Sequence, residues 1–396
     1  MKVWNFENEE ADDGRKHPLN TAIITWQRDG KELYHLLSKT ASPYQVRMVV
    51  EKDFHIWGRT EDDIPVVSLG RAVQAYHQND IDQFVMPSLE ESVNRGIEEA
   101  LLRFRVRPKD LLYAPVCVFR DKTLNEQQKL QRICAYEDRE ELETMEIHAA
   151  DHCNLNCKNC SMFCGLVGQA IFPDFTETET GIRILKKYFH HIKKFRIIGG
   201  EPLLNKELHR YLDLIRDIYP YTDIRLISNG LLVHKMPDIL IRTLRKNDVT
   251  FIVTQYPALA DQMDGIHHFL NEHDIRHEIT DPVWEFQKIY DASGCQNGEQ
   301  NFKTCHWKKT CATMYGTSIA GCFVPFVIPW LSRAFHLHIP VTGMINLNET
   351  GLTAKKIREK MDRPHALCRY CAPNGIFVPW QKMDSRQGLC LEDWSI

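Results

Sequence analysis

Apolar positions along the chain follow two alternating rhythms. Runs at residues 21–26, 46–50, 64–69, 84–86 and 112–119 are short and continuous or alternate by twos, as strands do. Residues 31–39 and 89–104 instead repeat apolar side chains every third or fourth position, as helices laid on a sheet do. The pattern resumes further on, with strands expected at 145–148, 195–198, 224–227, 249–254 and 275–279 and helices at 181–194, 206–218, 237–245 and 258–272. In the first of those helices Ile182, Leu185, Phe189 and Ile192 share one face, with lysines opposite. Strands alternating with helices predict parallel sheets covered by helices, an α/β fold. Between the two series, residues 121–143 are dense in charge and hold neither glycine nor proline, which predicts a solvated helical connector.

The first series, residues 1–120, looks like a small Rossmann-like domain, similar to nucleotide-sugar or CoA-binding modules. The glycine fingerprint is missing. Gln27-Arg28-Asp29-Gly30-Lys31 offers one glycine where G-x-G-x-x-G needs three for close approach of a pyrophosphate, so a recognition or docking domain is expected. Cys117 reads as a buried strand residue and Cys134 as a packing residue. The second series, 144–290, gathers glycine and polar residues at strand ends, the face on which β/α barrels carry their active sites.

Composition narrows the class. Of 396 residues, 43% are hydrophobic and 26% charged, as in an ordinary globular protein, and a net charge of −4 gives no electrostatic footprint for nucleic acid or an anionic membrane. No apolar run approaches the ~20 residues of a bilayer span, and the first residues are polar, without a secretory core, so a cytoplasmic location is expected. Thirteen cysteines in such a chain, several spaced as Cys-x2-Cys, read as metal ligands rather than disulfides.

The densest cysteine cluster is Cys153-Asn154-Leu155-Asn156-Cys157-Lys158-Asn159-Cys160, placed after the 145–148 strand. Three thiolates in one short loop suit an iron–sulfur cluster, because soft sulfur matches iron and one loop can wrap a compact face. A four-iron cluster takes four ligands, so three leave one iron open. Cys164 follows at x3 and could supply a fourth ligand, either of such a cluster or of a closed zinc site, but reads as a bystander near the site. Gly199-Gly200-Glu201-Pro202 follows the next expected strand, and Ser228-Asn229-Gly230 the one after. Glycines permit close backbone approach, and Glu201 offers a carboxylate acceptor for an ammonium group.

A Cys-x3-Cys-x2-Cys loop after one strand and Gly-Gly-Glu-Pro after the next resembles the radical S-adenosylmethionine (radical SAM) enzymes over roughly residues 144–375. The resemblance implies a partial (β/α)6 barrel over 144–290, with a [4Fe–4S] cluster on Cys153, Cys157 and Cys160. It implies that the open iron is chelated by the amino and carboxylate groups of SAM, and that reductive cleavage yields a 5′-deoxyadenosyl radical. Gly199, Gly200, Glu201 and Pro202 would seat SAM, and Ser228 and Asn229 match positions that contact its ribose or carboxylate. One position departs: the residue before the third cysteine, usually aromatic in the family and helping to seat the adenine, is Asn159.

Residues 291–396 hold Cys305, Cys311, Cys322, Cys368 and Cys371, with Gly316 at a hairpin-like turn. This layout resembles the SPASM/twitch extension of radical SAM enzymes, a small α+β domain carrying an auxiliary [4Fe–4S] cluster. It implies Cys305, Cys322, Cys368 and Cys371 as ligands, with Cys311 as a substitute for Cys305. A zinc knuckle is the alternative. The apolar stretch 323–330, with two prolines, reads as buried core.

The resulting expectation is a radical SAM oxidoreductase acting on a carbohydrate-like or nucleotide-linked small molecule, served by a flavodoxin- or ferredoxin-type reductant. The alternatives are a peptide-modifying radical SAM enzyme, a non-catalytic iron–sulfur electron carrier and a zinc-stapled binding module.

Overall fold

The computed structural model describes residues 18–25, 28–39, 42–89, 91–383 and 388–396. The polar N-terminal residues, Trp26 at the end of the first expected strand and Gln27 in the turn after it lie outside the described residues. The chain divides into two compact units, Met1–Arg139 and Glu140–Ile396.

The first unit is a seven-stranded sheet. Its strands are β1 (Leu19–Ile24), β2 (Tyr44–Val50), β3 (Thr60–Glu61), β4 (Ile64–Val67), β5 (Gln83–Pro87), β6 (Leu111–Ala114) and β7 (Cys134–Ala135), in the order β3-β4-β2-β1-β5-β6-β7. The five strands from β4 to β6 are parallel and β3 and β7 are antiparallel edges. This is the doubly wound order in which a ligand crevice opens between the first and fourth parallel strands. Two expectations change here. Pro115 ends β6, and Cys117 lies on the helix Val116–Arg120 instead of a strand. Residues of the expected connector supply the helix Glu126–Leu130, closed by a capping box from Asn125 and Gln128, and the edge strand β7.

The second unit is built on an eight-stranded sheet. Strands β8 (Glu141–Ala150), β9 (His191–Gly199), β10 (Asp223–Ser228), β11 (Thr250–Val253) and β12 (His277–Ile279) run parallel in sequence order. After the short strand β13 (Glu285–Gln287), β14 (Thr313–Tyr315) returns parallel to the far side of β8, followed by antiparallel β15 (Ser318–Ala320) and β16 (Met344–Asn346). The fold is therefore a mixed α/β arrangement of parallel sheets, as expected, but the sheet is open. The sixth parallel strand pairs beside the first of the series instead of extending it past β12. β17 (Phe377–Pro379) pairs antiparallel with β13 in a separate two-stranded sheet.

Register explains which face carries chemistry. Ile147, Ile197, Leu226 and Phe251 are direct neighbours across four strands and all but fully buried, packed with the helices Phe175–Leu185, Leu208–Ile218 and Asp238–Lys246 in one apolar core. One position back lie Glu146, Arg196, Arg225 and Thr250, a polar row on the opposite face, with Glu146 ion-paired to Arg196. The helix expected at 181–194 is shorter than its apolar spacing suggests. It ends at Leu185, and His191–Lys194 open β9, where Lys193 pairs with Glu141 and Glu143 of β8. The apolar stretch at 323–330 begins the helix Val324–Ala334, buried as expected despite Pro329. Among the described residues, no helix is long and apolar enough to cross a membrane.

Candidate functional site

Strand β8 ends at Ala150 and releases the cysteine loop at the end of the sheet. The loop turns through left-handed residues at Asn156, Asn159 and Phe163, with φ of 52°, 59° and 55°; asparagine tolerates this region better than most residues. Cys153, Cys157, Cys160 and Cys164 all line one cavity of about 280 Å³. Donors from separate parts of the unit converge on the sulfurs. Cys153 Sγ accepts from the Leu155 amide and from Asn229 Nδ2, both at 3.4 Å. Cys157 Sγ accepts from Trp380 Nε1 at 3.1 Å, and Cys160 is hydrogen-bonded to Cys164. Cys164, expected at most to be a fourth ligand or a bystander, thus touches the third thiol directly.

Burial dominates the electrostatics. It pushes Cys153 up to about 11 and Cys157 further still, and the neighbouring thiols raise both. The Cys164 hydrogen bond lowers Cys160 and raises Cys164 in return. Buried thiolates crowded together are costly unless a cation offsets their charge and N–H donors meet their lone pairs. The donors are already in place, and the donor set fits iron held by three thiolates.

The glycine motif packs against this loop. A Cβ on Gly200 would stand 2.0 Å from the His152 carbonyl oxygen and 3.0 Å from the Cys153 nitrogen, and Gly199 holds φ of +125° with Ala150 equally close. The Gly200 and Glu201 amides donate to Ala150 and His152 at 2.6 and 3.0 Å. The glycines are therefore demanded by the chain's approach to itself, while both also face the cavity.

Glu201 turns inward from this motif. It is fully buried, and neither it nor Pro202 lines the cavity. Its Oε1 accepts from Ser228 Oγ at 2.8 Å and the Leu203 amide at 3.0 Å, and its Oε2 from the Asn229 amide at 2.8 Å. Burial raises it to about 7 despite these bonds. These bonds tie Glu201 to the strand-end turns that carry Leu203, Ser228 and Asn229. Pro202 opens the buried turn Pro202–Leu204. Ser228 and Asn229 do face the cavity, and Asn229 Nδ2 also donates to Asn154 Oδ1 at 2.8 Å.

The other cysteines gather separately. Cys305, Cys322, Cys368 and Cys371 line a second, tighter cavity, whereas Cys311 does not and its sulfur accepts from Arg196 Nη2 at 3.2 Å. Burial and mutual repulsion push Cys322 up to about 12 and raise Cys368 and Cys371. These thiols surround a space rather than meet at a point. Among the described residues, no group of three or more His, Cys, Asp or Glu side chains could hold a single metal ion. Exposed Cys295 and Cys390 lie outside both sets. Trp307 lines both cavities.

Sequence reasoning passed over Trp380, Phe286 and the role of Tyr256. Trp380 stacks on Tyr256 with ring centroids 6.1 Å apart, and Phe286 meets Tyr256 edge-on at 6.0 Å. No local spacing marks Trp380, because its partner Cys157 lies 223 residues away.

Comparison with known proteins agrees with the cysteine loop. Residues 147–272 match the radical SAM superfamily, a span that contains the loop, the glycine motif and Ser228-Asn229. The chain is 33% identical over 104 residues to GTP 3′,8-cyclase of Staphylococcus carnosus, covering 23% of this chain and 28% of that protein. It is 25% identical over 139 residues to GTP 3′,8-cyclase of Sulfurimonas denitrificans, covering 32% and 42%. The match thus spans less than half the length of either relative. The crystal structure of BtrN in complex with AdoMet and 2-DOIA aligns over 58% of this chain and 92% of its own, at 17% identity and a TM-score of 0.39. The radical SAM superfamily uses a [4Fe–4S] cluster and SAM, and residues 147–272 of this chain form a radical SAM domain.

Proposed function

We propose that the chain is a radical SAM enzyme that abstracts hydrogen from an organic substrate and oxidises it by two electrons. The observation that supports this most is the convergence of Cys153, Cys157 and Cys160 on one cavity with Gly199, Gly200 and Asn229, each sulfur already met by a hydrogen bond. When bound, the [4Fe–4S] cluster and SAM supply a 5′-deoxyadenosyl radical under reduction. The chain's own residues hold and shield that chemistry. Cys153, Cys157 and Cys160 are the cluster ligands. Gly199 and Gly200 bring backbone to the cavity wall, and Ser228 and Asn229, held by Glu201, present polar groups to SAM. Tyr256, Phe286 and Trp380 exclude water, which a radical site requires.

Cys305, Cys322, Cys368 and Cys371 are proposed to hold an auxiliary [4Fe–4S] cluster in a SPASM/twitch-like domain, a fully protein-ligated acceptor for the second electron of an oxidation. A small carbohydrate-like or nucleotide-linked substrate is supported by the doubly wound strand order of the first unit, a fold analogy. A peptide substrate is the second reading. Trp284, Ile376 and Phe377 are 62%, 59% and 65% exposed on and beside the two-stranded sheet whose Phe286 and Gln287 line the cavity. A flavodoxin- or ferredoxin-type reductant and a cytoplasmic location complete the proposal.

The test is anaerobic reconstitution followed by reduction with dithionite in the presence of SAM. About eight irons per chain and formation of 5′-deoxyadenosine are expected, with nucleoside formation abolished by Cys157→Ala. An iron-loaded protein that binds no SAM and forms no nucleoside would make it an electron carrier instead.

A further inference from the structure

The two cavities differ in charge. Among the described residues, no aspartate, glutamate, lysine, arginine or histidine lines the first, whereas Lys308, Lys360 and His365 line the second together with its four thiols. A four-iron cluster on four thiolates is a net anion, and reduction adds one more negative charge. How readily it accepts that electron follows the charges and N–H donors around it.

The two lysines are placed differently. Lys360 Nζ meets both oxygens of Glu349, at 2.7 and 2.8 Å, so its charge is already answered. Lys308 is sunk into the wall. Its side chain is 13% exposed, and its Nζ stands 3.8 Å from the centre of the Phe302 ring. Its pair with Asp362 is long, at 3.7 Å, and the Asp362 side chain is half exposed, where water screens it. Toward the thiols its charge is felt: burial raises Cys368, and the Lys308 ammonium opposes that rise.

The backbone fixes this arrangement. Lys308 lies on the short helix Trp307–Thr310, which follows Cys305. The helix before it, Gly298–Thr304, is tied to the other thiol pair by Asn301, whose Nδ2 donates to the Cys368 and Cys371 carbonyls at 3.0 and 2.5 Å. A lysine drawn out of water is costly unless an anion meets it. The thiols become that anion when they ionise to bind iron.

We propose that the Lys308 ammonium offsets the negative charge of the auxiliary cluster and raises its reduction potential. This rests on the auxiliary-cluster reading above and adds to it a positioning residue that is not a ligand.

The test is a potentiometric titration of the anaerobically reconstituted full chain, followed by electron paramagnetic resonance, with Cys371→Ser identifying which signal belongs to the auxiliary cluster. Lys308→Met is expected to lower that cluster's equilibrium constant for reduction about tenfold, which is about 59 mV for a one-electron couple. The potential of the first cluster and an iron content of about eight per chain are expected to hold. Lys308→Arg, which keeps the charge, is expected to keep the potential. An iron-replete Lys308→Met with the auxiliary potential unmoved overturns the inference, and so does an equal fall in both clusters. Should Lys308→Met lose the second cluster, Lys308→Arg decides: an iron-replete protein at the unaltered potential supports the inference, and one without the second cluster or at a potential lowered tenfold overturns it. If the unaltered chain holds only about four irons, the auxiliary-cluster reading falls and takes this inference with it. An unmoved potential in a chain with about eight irons leaves that reading standing.

Discussion

The indole nitrogen of Trp380 donates to the sulfur of Cys157 at 3.1 Å, joining residues 223 positions apart. The contact is part of a longer seam. Lys158 and Met383 exchange backbone bonds with Gln381 and Asn156, Cys157 and Lys382 form an antiparallel bridge, and Lys158 pairs with Asp393. The C-terminal segment therefore straps the cysteine loop from outside. An N–H donor stabilises a ligand sulfur as negative charge builds on it, so it eases reduction of a bound cluster. Trp380→Phe keeps the stacking on Tyr256 and removes the donor. The cluster midpoint potential is expected to fall by on the order of 50 mV at unchanged iron content, read by a potentiometric titration followed by electron paramagnetic resonance.

Gly200 leaves no room for a side chain. Gly200→Ala would drive a methyl into the His152 backbone, 2.0 Å away, and the loop must shift to admit it. A stability loss of about 1–3 kcal/mol is expected, together with a lowered iron content after reconstitution. Thermal unfolding and iron analysis read the two effects separately.

Glu201 acts through Ser228 and Asn229. In Glu201→Gln one carboxamide end presents N–H groups to donors that the carboxylate accepts from now, leaving a buried bond unmade. A loss of about 1–3 kcal/mol in stability and weaker SAM binding are expected. If SAM affinity held while stability fell, Glu201 would have no bearing on the cavity.

His191 sets an acid limit on stability. Burial lowers its value from 6.5 to about 4, so the unfolded chain takes up a proton before the folded one does. Stability is therefore full above pH 6.5 and drains as pH falls toward 4, by on the order of 3 kcal/mol. His191→Leu should flatten that part of the stability–pH curve, measured by denaturant unfolding across the window.

The second thiol set separates from Cys311. Cys371→Ser is expected to lower iron from about eight to about four per chain while nucleoside formation from SAM persists. Cys311→Ser, whose sulfur faces Arg196, should leave the count unchanged. Equal iron loss in both variants would return Cys311 to the ligand set.

Much of the architecture was legible because it is local. The spacing of Cys153, Cys157 and Cys160, the glycines after the next strand and the two apolar rhythms are written within short windows, and they specified the strand–helix series and the radical SAM match over residues 147–272. The failures were at boundaries and over long range. Ile192 fits a helical face, yet it lies in β9, because pairing of His191 with Glu141 outweighs local spacing. Cys117 left its strand because Pro115 ends it.

By itself the sequence determined which thiols could act together and that glycine was needed at 199 and 200. Only the tertiary structure decided what those glycines pack against, that Glu201 turns inward, that Cys311 parts from its neighbours, and that Trp380 reaches Cys157. The physical reason is that ligand-bearing spacings are properties of a few consecutive residues, whereas burial and hydrogen-bond partnership belong to segments that meet only when the sheet has formed.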